Sequence, residues 1–186
     1  SRACNYFYEC LSGSLKSTSG SYNWGITTSF GYLPLDNSSF FDNKMSLVDW
    51  LRQWTNNDEE KEEIYIRGFL GKMLFSGDEA LKSCDVLSGG EKVRCMLSKI
   101  MMGNPNVLLI DEPTNHLDLE SITTFNNSLI NFKGTILMST NDIAFAKSVS
   151  NRIIEITPNG FIDSYLSFDE YVKDEKIIKQ REELYN

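Results

Sequence analysis

The sequence predicts an α/β fold built on a mostly parallel sheet, and three observations predict it. Two short apolar runs, 107–111 and 135–139, are bracketed by Pro105, Pro113 and Gly134, the pattern of strands buried on both faces. Segments of helical period lie between and beyond them, so strand and helix alternate along the chain. The 186 residues, 41% of them hydrophobic, suffice for one such domain with a core of its own.

Composition then excludes several classes. The longest aliphatic stretches are four or five residues, too short to span a bilayer. Residues 1–4 lack the charged-then-apolar layout of an export signal, so cytoplasmic residence is expected. The net charge is −8 and the basic residues are scattered among acids, which argues against a nucleic-acid site in this chain. Cys4, Cys10, Cys84 and Cys95 form no CxxC pair, and His116 is the only histidine, so the cysteines read as reduced packing residues rather than zinc ligands.

In chain order, residues 5–11 read as the tail of a helix closed by Gly13, and 12–21 as a Ser/Gly/Thr-rich loop. Residues 21–25 and 26–33 carry aromatic and β-branched side chains and predict two strands, the second ended by Pro34. A turn-rich loop covers 36–43. Ser46 predicts an N-cap for a helix over 47–54, and the acid-loaded segment 58–74 predicts a longer one. One or two helical turns follow over 77–82. Residues 92–102 are helical, 107–111 a buried strand, 119–132 a helix ended by Gly134, and 135–139 a second buried strand. A helix over 142–150 is capped by Asn141 or Asp142. A third strand spans 152–157, and residues 161–163 pair back on it across Pro158-Asn159-Gly160. A single charge-alternating helix is predicted over 169–185. The expected organisation is a core remnant over 1–35, an inserted helical subdomain over 36–103, a second core segment over 104–166 and a helical tail over 167–186.

Two stretches carry chemistry. Leu87-Ser88-Gly89-Gly90-Glu91 opens a helix, where unsatisfied amides and the helix dipole favour an anion and two glycines let a phosphate approach the backbone. The ordinary reading of such a turn is an N-cap on a core helix. Asp111-Glu112 stands at the carboxyl end of a buried strand, where ligands bind in open α/β sheets. There one carboxylate can hold Mg²⁺ directly or through its water, and the next can polarise an attacking water. The ordinary reading is a solvated strand end.

The two stretches together resemble the ATP-binding cassette ATPases: LSGGE at 87–91, then VLLIDEPTNHLD at 107–118, similar to the signature motif, Walker B, catalytic glutamate and D-loop of that family. The wording DEPTNHLD resembles the ABC-F branch, whose members act on translating ribosomes. Residues 47–51, 66–71, 74–76, 119–122 and 151–158 resemble the second cassette of YbiT-like members of that branch. The resemblance implies ATP and Mg²⁺ as cofactors, a second cassette as partner, a ribosome as partner of the parent protein, and no membrane. It also implies that Ser88, Gly89, Gly90 and Glu91 face the ATP of the opposing cassette. Asp111 supports the metal, Glu112 activates water, and Asn115 and Asp118 belong to the D-loop that couples the two sites. His116 is then a structural or interface residue.

The sequence departs from the family in three places. No GxxxxGK(S/T) occurs, and residues 3–6 stand where its Gly-Lys-Thr-Thr is expected, so the first strand and phosphate loop are expected to be cut off or altered. Leu35 occupies the position of the Q-loop glutamine. Asn141 stands at the switch-histidine position, where it can hydrogen-bond a γ-phosphate but cannot carry charge. The expected function is therefore the cassette of an ABC-F ATPase, with no measurable hydrolysis expected of this chain on its own. The alternatives are a degenerate, non-catalytic cassette module and a transporter's nucleotide-binding subunit.

Overall fold

The computed structural model describes residues 2–186, which divide into two units, 2–139 and 140–186. The first holds helix α1 (Arg2–Leu11), strand β1 (Phe30–Leu33), helices α2 (Leu47–Arg52), α3 (Glu63–Lys72) and α4 (Gly89–Met102), strand β2 (Val107–Asp111), helix α5 (Leu119–Ile130) and strand β3 (Thr135–Ser139). Short 3₁₀ turns cover Ser38–Phe41, Gly77–Leu81 and Cys84–Val86.

The three strands form a parallel sheet in the order β1-β2-β3. Tyr32 lies opposite Leu109, Leu109 opposite Leu137, and Asp111 opposite Ser139. The central strand is buried from Leu108 to Asp111, as its unbroken apolar run requires. Alternation places Tyr32, Leu109, Asp111, Leu137 and Ser139 on one face of the sheet, and α1 packs against β2, with Tyr8 buried.

The helices α2, α3 and α4 bury Trp50, Leu47, Leu51, Ile66, Leu70 and Met96. Trp50 stacks on Phe41 with ring centroids 4.6 Å apart, and its indole N–H donates to the Phe40 carbonyl at 2.8 Å. Such a pair adds roughly 0.5–1.5 kcal/mol beyond its buried area. Lys99 reaches from α4 to lie 4.5 Å from the centroids of both Phe40 and Trp54. Cys84 and Cys95 are buried and Cys4 and Cys10 half-buried, and no two of them are joined by a disulfide.

The second unit holds α6 (Ile143–Val149), a hairpin of β4 (Ile153–Thr157) and β5 (Gly160–Ser164), α7 (Phe168–Tyr171) and α8 (Glu175–Tyr185). Ile162, Tyr171 and Ile177 make its core. Glu155 accepts from Tyr171 Oη at 2.6 Å, Tyr185 Oη at 2.8 Å and Arg181 Nε at 3.0 Å, fixing both helices to the hairpin. Arg152 grips Asp163 across the hairpin with two bonds of 2.8 and 2.6 Å.

Four elements differ from expectation. Residues 21–25 form no strand: the Trp24 indole N–H and the Tyr22 hydroxyl donate to the carbonyls of Leu11 and Cys10 at the end of α1, so side chains rather than a ladder hold this segment. The strand expected over 26–33 is confined to Phe30–Leu33, because 25–28 closes a turn through Thr28 N–H to Gly25 O. The helix expected from 58 begins at Glu63. Asn57 Oδ1 accepts from Glu60 N–H and the Glu60 carboxylate accepts from Asn56 N–H, which winds the acidic run into turns. The tail is two helices, because Asp174 leaves helical geometry and caps α8 by accepting from the amides of Lys176 and Ile177.

Candidate functional site

The acidic pair is built by β2 and closed by β3. Asp111 is the last residue of β2 and is 2% exposed; Glu112 is 8% exposed. The hydroxyl of Ser139, across the register on β3, donates to Asp111 Oδ1 at 2.5 Å. Glu112 sits in left-handed backbone at φ 47°, a conformation costing a non-glycine residue about 1 kcal/mol or more. Its N–H donates to the Ser139 carbonyl at 3.0 Å and also lies 3.3 Å from the Ser139 hydroxyl. The sharp turn carries the chain out of the sheet into Pro113.

Two phenols line the same face. Burial pushes the Tyr32 hydroxyl up to about 12, with the Asp111 charge adding to it. Burial raises Tyr8 further, against a hydrogen bond to the Ser139 side chain. Asp111 Oδ2 is buried with no hydrogen-bond partner among the described residues. An orphaned carboxylate oxygen is a hard ligand, so this donor fits Mg²⁺.

The glycine turn is held differently. Ser88 caps α4 by accepting from Glu91 N–H at 3.3 Å, and Glu91 Oε2 accepts from Ser88 N–H at 2.9 Å, a complete capping box. Glu91 Oε1 takes Lys82 Nζ at 2.7 Å. Burial would raise the Glu91 carboxyl, but the bonds from Lys82 and Ser88 outweigh it and hold it below the usual range. A Cβ on Gly90 would stand 2.5 Å from the His116 carbonyl oxygen, and one on Gly89 would stand 3.3 Å from His116 Cβ. The turn is therefore pressed on the 115–118 loop of its own chain. Asp118 ends that loop as the N-cap of α5, accepting from Ser121 N–H at 2.8 Å. Asn115 and His116 are exposed.

Among the predicted site residues, Asp111 and Glu112 thus share Ser139, while Ser88, Gly89, Gly90 and Glu91 share a surface with His116. Asn141 is exposed and belongs to the second unit, just ahead of the Asp142 that caps α6. Sequence reasoning missed Ser139 and Tyr8. Neither sits in a motif, and only the Asp111–Ser139 register and the packing of α1 reveal them.

The family model for ABC transporters matches residues 7–115. The chain belongs to this ATP-binding cassette family. The Uncharacterized ABC transporter ATP-binding protein YkpA of Bacillus subtilis is 52% identical over 98% of this chain and 34% of its own length. The Probable ATP-binding protein YbiT of Escherichia coli O157:H7 is 38% identical over 91% of this chain and 32% of its own. The Arabidopsis ABC transporter F family member 2 is 37% identical over 53% of this chain and 14% of its own. The chain spans about a third of the length of the first two.

Solved structures share the fold. The archaeal ribosome recycling factor aABCE1, seen with ribosomal stalk protein aP1, superposes with a TM-score of 0.69 at 20% identity, over 93% of this chain and 34% of that one. The dimeric post-hydrolysis cassette MJ0796 with ADP and Pi gives 0.54 at 19% identity, over 68% and 58%. No helix among the described residues is long and apolar enough to cross a membrane.

Proposed function

We propose that this cassette belongs to an ABC-F type ATPase that acts in pairs of cassettes, hydrolyses ATP with Mg²⁺, and couples hydrolysis to ribosome function in a cytoplasmic parent protein. The observation that carries the catalytic part is the buried carboxylate oxygen of Asp111 beside the left-handed Glu112, at the carboxyl end of the central strand. The ABC-F part is supported by the DEPTNHLD wording at 111–118 and by the similarity to F-family relatives.

Asp111 would hold Mg²⁺, directly or through its water. When bound, the ion neutralises charge on the phosphate oxygens. Glu112 accepts the proton of the attacking water and fixes its direction, which the rigid backbone favours. Ser88, Gly89 and Gly90 present a hydroxyl and close-approach backbone to the γ-phosphate of the facing cassette. The Glu91 carboxylate, engaged by Lys82 and Ser88, keeps that turn in shape. Asn115 and Asp118 carry the state of one site to the other, and Asn141 offers an uncharged hydrogen bond at the switch position. In this reading 36–103 is the helical subdomain, flanked by core segments 1–35 and 104–166, with 167–186 as a tail.

A second reading is a non-catalytic cassette that keeps the fold. It is supported by Leu35 and Asn141 at the Q-loop and switch positions. Turnover separates the two. This chain alone is expected to show no measurable hydrolysis, and the two-cassette parent to show Mg²⁺-dependent hydrolysis that Glu112→Gln abolishes. A parent whose turnover ignores Glu112→Gln leaves the non-catalytic reading standing for this cassette. Ribosome pelleting tests the coupling: a parent that stays in the supernatant with ATP and Glu112→Gln sinks it.

A further inference from the structure

The polar groups around Asp111 distribute their hydrogen bonds unevenly, and one residue governs the pattern. A serine hydroxyl has one proton to give and two lone pairs to accept with. Ser139 gives its proton to Asp111 Oδ1 at 2.5 Å. One of its lone pairs then faces the Glu112 N–H at 3.3 Å. The Ser139 carbonyl takes the Glu112 N–H as well, at 3.0 Å. One residue thus holds the Asp111 carboxylate and the strained Glu112 backbone together. The other carboxylate oxygen, Oδ2, is buried and without a partner among the described residues.

We propose that Ser139 is a positioning residue that sequesters Oδ1 of Asp111 and leaves Oδ2 as the one oxygen offered to a divalent cation. The inference rests on the nucleotide reading above. A carboxylate held at one oxygen binds metal through the other alone. That geometry suits Mg²⁺, which demands near-octahedral coordination and takes carboxylates sparingly, whereas Ca²⁺ readily accepts both oxygens of one carboxylate. Ser139 therefore sets metal preference as well as the direction of Glu112.

The test compares the full chain with its Ser139→Ala and Ser139→Thr variants in two measurements. The first, without nucleotide, is the side-chain carboxyl ¹³C resonance of Asp111, expected to move in the alanine variant and to stay in the threonine variant, which keeps the hydroxyl. The second is binding of a non-hydrolysable ATP analogue with Mg²⁺ or Ca²⁺. Here the alanine variant is expected to lose about tenfold of its preference for Mg²⁺, at the low end of losses from outer-sphere changes at metal sites, and threonine to restore it. An unmoved resonance in the alanine variant overturns the proposal. So does an equal change in both variants, which marks a general structural role, or a moved resonance with an unchanged metal preference. If no form, wild type included, binds the metal–nucleotide, the resonance still decides the role of Ser139, and it is the ATP reading that fails. Should Ser139→Ala not fold, Ser139→Cys, which keeps the volume with a weak donor, takes its place in both measurements.

Discussion

The glycine turn at 88–91 and the acidic end of β2 are the two stretches that resemble the family's motifs, yet they are constructed in opposite ways. In the turn every charged group has an in-chain partner: Ser88 and Glu91 cap each other, Lys82 takes the remaining carboxylate oxygen, and His116 backs the glycines. What such a turn shows to the outside is backbone and a hydroxyl in a fixed shape. At the end of β2 the backbone is strained at Glu112, and one buried oxygen of Asp111 has no partner among the described residues. A closed polar set holds a fixed shape by itself; an open one leaves a buried oxygen that a cation would satisfy.

Four expected outcomes break or sharpen that contrast, from the largest effect to the smallest. Glu112→Gln in the paired cassettes should cut turnover by at least about 10², the lower range for a positioned acid or base, with the melting temperature unchanged. Retained turnover would show that the open end is not where chemistry happens. Gly90→Ala should destabilise the fold by about 1–3 kcal/mol in urea unfolding, because its Cβ meets the His116 carbonyl oxygen at 2.5 Å and backbone must give way. A neutral result would mean that the turn is not pinned to the 115–118 loop. Ser88→Ala should cost about 1 kcal/mol in the same measurement through loss of the cap. Last comes pH. The folded Glu91 carboxyl lies below its ordinary range, so its contribution is complete above that range and fades as pH falls through it. Lys82→Met should shrink that acid-side loss by on the order of 0.5 kcal/mol, read from stability against pH.

Much of the framework was legible in the sequence, for local reasons. Strands 107–111 and 135–139 were bounded correctly because proline or glycine brackets a short apolar run, and Ser46 announced its helix because a cap acts within three residues. The fold class and the cassette family followed from the wording of 87–118. What escaped was non-local. Residues 21–25 look like a strand, but a strand needs a neighbour, and Tyr22 and Trp24 found the end of α1 instead. Ser139 reads as the polar end of an apolar run, and its partners lie 27 and 28 residues away. Asp174 interrupts the tail because a side-chain cap outcompetes one more helical turn.

The Glu155 arrangement has a consequence for how the second unit opens. One carboxylate on β4 takes donors from both α7 and α8, through Tyr171, Arg181 and Tyr185. Neither helix then leaves the hairpin without loosening the hold on the other, so the two open as one cooperative unit. Amide hydrogen exchange should speed up in Phe168–Tyr171 and Glu175–Tyr185 together in Glu155→Ala.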